Sequence, residues 1–169
     1  MSFPNTMNLT QAPAVEGQLA SLNPRHAVPG AAGAWTAGTG GVTVGRFVWG
    51  DLTSTDSVLV NNGSGVPTGI VANELSALIT TYLAENGLTI PAGYPVPSVY
   101  NAGDIWVKNT GSATSAVNNK AYAKLTDGTI IFDATGQVGS HTGYVETKWI
   151  AATIGAQNEL VKITSVTLD

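Results

Sequence analysis

Short runs of alternating apolar and polar residues, separated by turn-forming clusters, constrain this chain more than any other feature. Alternation indicates a strand, because successive side chains of a strand point to opposite faces of a sheet. Such runs lie at residues 104–109, 120–125, 129–132, 144–153 and 159–167. Turn signals recur roughly every 8–12 residues, a spacing typical of β-sandwiches and β-barrels. The sequence therefore predicts an all-β fold.

Two hairpin signals and one ambiguous segment complete this prediction. Asp127 and Gly128 join two alternating runs, and Asn61-Asn62-Gly63 separates the apolar run 58–60 from a strand candidate at 67–71; both pairs favour hairpins. Residues 74–83 have apolar residues at helical spacing but many β-branched ones, which favours a strand over a helix. With a further strand at 42–49, we expect an antiparallel jelly-roll-like sandwich or barrel of about eight short strands.

The first forty residues differ from the rest of the chain. Prolines at positions 4, 13, 24 and 29 interrupt them, and their apolar residues follow no sustained period. A free disordered tail would instead be charged and poor in apolar residues. We predict an extended N-terminal arm over residues 1–40 and a β body over residues 41–169. The arm's apolar side chains would lie against a partner or fold back on its own body.

The charge of the chain excludes two classes of partner. It has 7 basic and 11 acidic residues, a formal charge of -4, and only 11% charged residues, against about 25% in an average soluble domain. A nucleic-acid binder or a polybasic membrane anchor needs a basic stripe, which so few scattered cations cannot form. No apolar run reaches the ~18 residues of a membrane span, and no secretory signal is recognisable. We expect neither a nucleic-acid nor a membrane partner, and synthesis in a cytoplasm.

The sequence contains no recognisable catalytic or metal site. It has no cysteine, which excludes disulfides and thiolate ligands. His26 and His141 are far apart in the sequence and have no closely spaced metal ligands beside them. Ser140, His141 and Asp133 could suggest a hydrolase, but an adjacent serine and histidine rarely point at each other. Asp127 fits a turn position. We expect no catalytic residue, no metal, no cofactor and no enzyme activity.

The aromatic residues leave three roles open. The chain has four tryptophans and five tyrosines. Aromatic side chains fill β-sandwich cores, anchor protein interfaces, or stack against sugar rings when several share one exposed face. Sequence alone does not choose among these roles for Trp35, Trp49, Trp106 and Trp149.

Seven strings spread over most of the chain carry a family resemblance. They are residues 11–17 (QAPAVEG), 21–25 (SLNPR), 40–47 (GGVTVGRF), 78–83 (LITTYL), 102–109 (AGDIWVKN), 120–123 (KAYA) and 146–149 (ETKW). In these strings the chain resembles the structural cement (decoration) proteins of tailed-bacteriophage capsids. The low charge and the apolar-studded arm also suit an assembly protein, because such a surface packs against a neighbour without desolvating ions.

The resemblance implies a structural virion protein. It would be made in the host cytoplasm and bind the exterior of the expanded capsid, bridging neighbouring major capsid protein subunits and reinforcing the head against internal DNA pressure. A homodimer is implied, with a trimer as the alternative. The interface candidates lie in the arm: Phe3, Met7, Leu9, Arg25 and Trp35. The alternative hypothesis is a carbohydrate-binding β-sandwich module on the virion surface.

Overall fold

The computed structural model describes residues 14–31, 33–50, 57–74 and 88–166. This part of the chain contains fourteen strands and one short 3-10 helix, Gln137–Ser140, so the all-β prediction is confirmed. The first eight strands are β1 (His26–Ala27), β2 (Trp35–Ala37), β3 (Val42–Thr43), β4 (Phe47–Gly50), β5 (Val58–Val60), β6 (Gly69–Val71), β7 (Thr89–Ile90) and β8 (Pro95–Val96). The other six are β9 (Val99–Ala102), β10 (Asp104–Lys108), β11 (Lys120–Lys124), β12 (Ile130–Asp133), β13 (Tyr144–Ala151) and β14 (Leu160–Thr164).

These strands form three sheets. The seven-stranded sheet has the order β1-β9-β6-β4-β5-β2-β8, the five-stranded sheet has the order β10-β14-β13-β11-β12, and β3 pairs with β7. The pairs are antiparallel apart from β2 and β5, which run parallel with Thr36 opposite Val58. The expected number of about eight strands is too low for the described residues. Strands of two or three residues are too short to show the alternation that identifies a strand in the sequence.

The seven-stranded sheet is buried on both faces at its centre. Phe47 and Trp49 of β4 pack into a large core together with side chains of the five-stranded sheet. Val48, which points to the other face, packs into a second core with Trp35 and Leu59. The single strand predicted at 42–49 is therefore wrong: residues 42–43 and 47–50 belong to different sheets, with a turn between them. Burial on both faces removes the alternation that would have located β4.

The five-stranded sheet matches the sequence prediction closely. The runs at 104–109, 120–125, 129–132, 144–153 and 159–167 correspond to β10, β11, β12, β13 and β14. The predicted Asp127 hairpin is confirmed, with Ala123 of β11 opposite Ile130 of β12. Asp127 Oδ1 accepts the Thr129 backbone N–H at 3.0 Å, which is the turn role expected of it. An isolated parallel bridge between Asn109 and Ile130 connects the two outer strands and closes the sheet on itself.

The hairpin predicted at Asn61-Asn62-Gly63 does not form. β5 and β6 do not pair with each other, because each pairs with β4 from an opposite side. Asn61 instead bonds the turn before β4: its Oδ1 accepts the Thr43 N–H at 2.6 Å, and its Nδ2 donates to the carbonyls of Thr43 at 3.3 Å and Phe47 at 3.1 Å. One amide side chain thus fixes the corner between β3 and β4.

The described part of the predicted arm lies against the body. Residues 14–40 include β1 and β2, both strands of the seven-stranded sheet. Most of the ambiguous segment, residues 75–83, lies outside the described residues. Three of the four tryptophans are core residues, since Trp35, Trp49 and Trp149 are at most 8% exposed. Trp106 is half-buried.

The two adjacent asparagines allow a matched test of the β3–β4 corner. We expect Asn61→Ala to lower the free energy of unfolding by about 1–3 kcal/mol, because three partly buried backbone groups lose their partner. Asn62 is exposed, and its side chain makes no hydrogen bond within the described residues. Asn62→Ala should therefore change the free energy of unfolding by less than about 0.5 kcal/mol. Denaturant unfolding followed by tryptophan fluorescence measures both. Equal losses in the two variants would contradict the assigned role of Asn61.

Candidate functional site

Residues 14–31, here called the strap, cross the outside of two sheets. The Gly17 N–H donates to the Trp106 carbonyl at 2.7 Å, and the Trp106 N–H donates to the Gln18 carbonyl at 2.9 Å, so the strap first pairs with β10. Further along, β1 pairs with β9, and the Val28 N–H donates to the Val99 carbonyl at 2.8 Å. Because only Gly103 separates β9 from β10, a single continuous strap can bind both strands and so joins the two sheets.

A close approach of two glycines lets the strap lie flat on the body. Gly17 has φ +82°, and a Cβ there would stand 2.9 Å from the Gly45 backbone nitrogen and 3.0 Å from that of Asn73. A side chain at Gly17 would therefore suffer both an unfavourable backbone conformation and a steric clash. The Asn73 N–H donates to the Gly17 carbonyl at 2.8 Å, which holds the start of the strap in place.

Asp104 binds the middle of the strap. This residue is only 7% exposed, and its Oδ2 accepts hydrogen bonds from Ser21 Oγ at 2.6 Å and Asn23 Nδ2 at 2.8 Å. Burial alone would raise the pKa of the Asp104 carboxyl, but its hydrogen bonds, that from Ser21 first, outweigh burial and hold the pKa below its ordinary value of 3.8. The ionised carboxylate is thus the form that binds the strap.

The exposed side of the strap presents a cation. The Arg25 guanidinium lies 5.7 Å from the centroid of the Tyr100 ring, within the range of a cation–π contact. His26 Nδ1 lies 2.8 Å from Asn101 Oδ1. Arg25 and His26 are both exposed, so the Tyr100 ring orients the Arg25 side chain without covering it.

The five residues predicted for an interface have different positions. Phe3, Met7 and Leu9 lie outside the described residues, and Arg25 is exposed on the strap. Trp35 is 3% exposed, and its Nε1 donates to the Val28 carbonyl at 2.7 Å. Its side chain therefore packs in the chain's own core, beneath the strap, and leaves almost no area for a partner.

Leu22 is an exposed residue that sequence reasoning missed. It is fully exposed at 102%, and Val15, at the start of the strap, is 53% exposed. Leu22 lies in the SLNPR string, between the two residues whose side chains bind Asp104. Those bonds direct the backbone so that the intervening leucine points outward. The sequence shows this only as an apolar residue between two polar ones in a proline-interrupted segment.

The described residues assemble no catalytic centre. Asp133 Oδ2 and His141 Nε2 do meet, at 2.8 Å, and this hydrogen bond lowers the pKa of the Asp133 carboxyl. Ser140 Oγ, however, donates to Gln137 Oε1 at 3.4 Å and does not contact the imidazole, so the pair has no nucleophile of a triad. Within the described ranges, no three histidine, aspartate or glutamate side chains are placed to hold a metal ion, and no helix there could span a membrane.

An all-β chain with an exposed strap that is hydrogen-bonded to both large sheets has features of a structural assembly protein. The comparisons with known proteins agree. The family model described as XM1 gp53 minor capsid protein matches residues 3–165, so the chain belongs to that family of phage capsid proteins. It is a structural protein of the phage capsid, and the predicted capsid-associated family is confirmed.

A solved structure supports the same fold. The chain is similar to a chain of the structure titled "The capsid of Myoviridae Phage XM1", with a TM-score of 0.62 over 98% of both chains and 18% sequence identity. No curated protein matches the chain. Membership in a family of capsid proteins supports a structural, non-enzymatic role for the chain.

The Asp104 contacts predict a pH-dependent contribution to stability. Since the folded pKa of Asp104 lies below 3.8, its contribution is present above that pH and is lost as the pH falls through the folded pKa. We expect Asp104→Asn to lower the free energy of unfolding by about 1–3 kcal/mol at neutral pH. The difference from the wild type should shrink in acid. Denaturant unfolding at several pH values measures this difference in the free energy of unfolding. Asn62→Ala is the control, and its difference from the wild type should not change with pH. A difference for Asp104→Asn that does not change with pH would contradict this role.

Proposed function

We propose that the chain binds the outer surface of the expanded phage capsid, bridges neighbouring major capsid subunits and reinforces the head against the pressure of packaged DNA. The main support for this proposal is the strap, which is hydrogen-bonded to both large sheets and exposes Leu22 and Arg25 to solvent. Family membership supplies the capsid context, and the strap supplies a surface suited to a partner.

The strap is suited to bearing load. Its backbone pairs with β10 through Gly17, Gln18 and Ala20 and with β9 through β1 and Val28. A force applied along the strap acts on these hydrogen bonds together rather than one at a time. Tension from one capsid subunit would therefore pass into both sheets, as a bridging protein requires.

The exposed strap residues fit a protein interface. Leu22 gains by leaving water, at about 25 cal/mol for each Å² of apolar surface buried. Arginine is enriched at interface positions that dominate binding, and the cation–π contact of Arg25 with Tyr100 reduces the freedom its side chain loses on binding. Only 11% of the chain is charged, so packing against a partner would desolvate few ions.

The predicted arm of residues 1–40 belongs to this proposal, and residues 1–13 are the part of it that precedes the strap. Phe3, Met7 and Leu9 are the apolar residues we expect to contact a neighbouring capsid subunit. Thirteen extended residues span at most about 45 Å, enough to reach beyond the edge of one small domain. Self-association as a homodimer, with a trimer as the alternative, belongs to the same proposal and would present two or more straps to neighbouring subunits.

Preference for the expanded shell follows from mass action. A protein that binds the expanded state and not the unexpanded one stabilises the expanded state, by about 2.7 kcal/mol per site at a free concentration of 100 Kd. The stabilisation free energies of many such sites then add over the whole shell. The preference requires that the groove for the strap and arm exist only after expansion.

Co-sedimentation with capsids tests the proposal directly. We expect saturable binding to expanded shells stripped of this protein, no binding to unexpanded shells, and a higher rupture temperature of the occupied shells. Deleting residues 1–13 should weaken binding while leaving the fold intact, as judged by circular dichroism. Binding to neither shell would refute the proposal, and equal binding to both would refute the preference for the expanded state.

Matched pairs of surface variants test the strap. We expect Leu22→Ser and Arg25→Gln each to weaken capsid binding by about tenfold or more, the loss of one interface contact of 1–2 kcal/mol. Val66→Ser and Lys148→Gln change exposed residues of the same chemical kinds outside the strap and should bind like the wild type. Equal affinities across all four variants would show that the strap is not the contact surface.

A further inference from the structure

A second surface feature has a different chemistry from the strap. An open cleft of about 480 Å³ is lined by residues 110–114 together with Asn119, Asp133, His141, Tyr144 and Gln157, above Ile131 and Phe132. Its volume lies within the range of small-molecule sites. The strap contributes no residue to it, and the proposed capsid contact does not use it.

Polar side chains that make no hydrogen bond to another described residue line this cleft. Within the described residues, the amides of Asn119 and Gln157 and the hydroxyl of Tyr144 make no hydrogen bond, nor do the hydroxyls of Ser112 and Thr114. An amide offers two N–H donors and an acceptor oxygen, and a hydroxyl can both donate and accept. A ligand that matches them needs closely spaced groups that donate and accept as well.

The charges of the cleft exclude other ligand classes. No lysine or arginine is among the described residues that line it, and the Asp133 carboxylate repels anions such as phosphate. That carboxylate is already bonded to His141 Nε2 at 2.8 Å and to the Ala134 N–H at 2.7 Å, and no second carboxylate joins it to hold a cation. Amides, hydroxyls and a carboxylate also predominate over aliphatic side chains. The lining is therefore better suited to a neutral, hydroxyl-rich ligand than to an anion or a cation.

An aromatic ring at the cleft adds a stacking surface. Tyr144 is half-buried, and its ring meets the His141 ring nearly edge-on, with centroids 6.1 Å apart. His141 also contacts the Tyr122 ring, at 5.4 Å. The row of three rings restricts the Tyr144 side chain, which leaves an ordered apolar surface beside the polar groups.

The neighbouring loop is fixed before any ligand binds. The Tyr122 hydroxyl accepts the Gln137 N–H at 3.0 Å and lies 2.9 Å from Glu146 Oε2. The same Glu146 oxygen accepts the Gly136 N–H at 2.7 Å. These bonds hold the loop that carries His141, so a ligand would not have to order that side of the cleft itself.

We propose that this cleft binds a neutral saccharide. Adjacent sugar hydroxyls would bond the Asn119 and Gln157 amides and the Asp133 carboxylate, and one face of the sugar ring would lie on Tyr144. The site would be additional to the capsid role and does not depend on it. A capsid-bound copy with this cleft exposed would give the virion a weak affinity for glycan-bearing surfaces, multiplied by the number of copies.

Titration of the isotope-labelled full-length protein tests the site. The probes are glucose, galactose, mannose, N-acetylglucosamine and their β-linked disaccharides at millimolar concentration, monitored by amide and side-chain NMR shifts. We expect at least one probe to shift resonances of residues 110–114, Asn119, Tyr144 and Gln157 saturably. The double variant Asn119→Ala/Gln157→Ala should bind about tenfold more weakly, the loss expected for two hydrogen bonds. Asn62→Ala, an exposed amide elsewhere, should bind normally.

Three results would overturn the proposal. They are the absence of cleft shifts with every probe, shifts confined to another surface, and equal affinity in the double variant. Inorganic phosphate is the charged control, and phosphate shifts as large as those of the sugars would overturn the assignment of a neutral ligand. The double variant removes exposed or half-buried side chains that make no hydrogen bond, so it should fold, and its NMR spectrum shows this directly.

Discussion

Burial of the seven-stranded sheet on both faces is the constraint on which the rest of the structure depends. Phe47 and Val48, adjacent on β4, are each completely buried, in different cores. A fully buried side chain of this kind contributes about 1.5–3 kcal/mol, so β4 alone stabilises both halves of the molecule. The centre of a sheet used in this way has no face left for a partner. Surfaces for binding must therefore come from segments that pair with the outer strands of the sheets, such as the strap, and from loops.

Burial on both faces also explains why the strands of the first half were harder to predict from the sequence than those of the second half. Strands β10 and β14 alternate between buried and partly buried residues, which is the pattern that the sequence analysis detected. Strands β11 and β12 each bury three consecutive residues, but the Asp127-Gly128 turn between them marks the hairpin. In the first half, β4 is apolar on both sides, and β1, β3, β7 and β8 have only two residues each. Neither situation gives a periodic signal. The all-β class and the later strands were predictable, whereas the sheet order and the strands at 26–27 and 35–37 were not.

The exposed surface residues were also only partly predictable from the sequence. Arg25 was predicted as an interface residue because it lies in the predicted arm, and the structure places it on the exposed strap. Trp35 was chosen for the same reason but is buried, because a proline-interrupted segment gives no indication of which side faces the body. Leu22 and the cleft residues Asn119 and Gln157 carry no motif, since they come together only through turns and strand pairing. The Asp133–His141 pair was considered from sequence, but the Tyr122 and Glu146 side chains that bind the neighbouring loop were not, because no spacing rule connects them to it.

The ends of the seven-stranded sheet affect how readily the free protein aggregates before it joins a capsid. One end is β1, of two residues, and the other is β8, also of two residues, the first of which is Pro95. Long unpaired edges recruit further strands and lead to aggregation, whereas very short edges and proline prevent it. Newly made copies can therefore accumulate without polymerising through the ends of this sheet. The pool stays available until a suitable lattice appears.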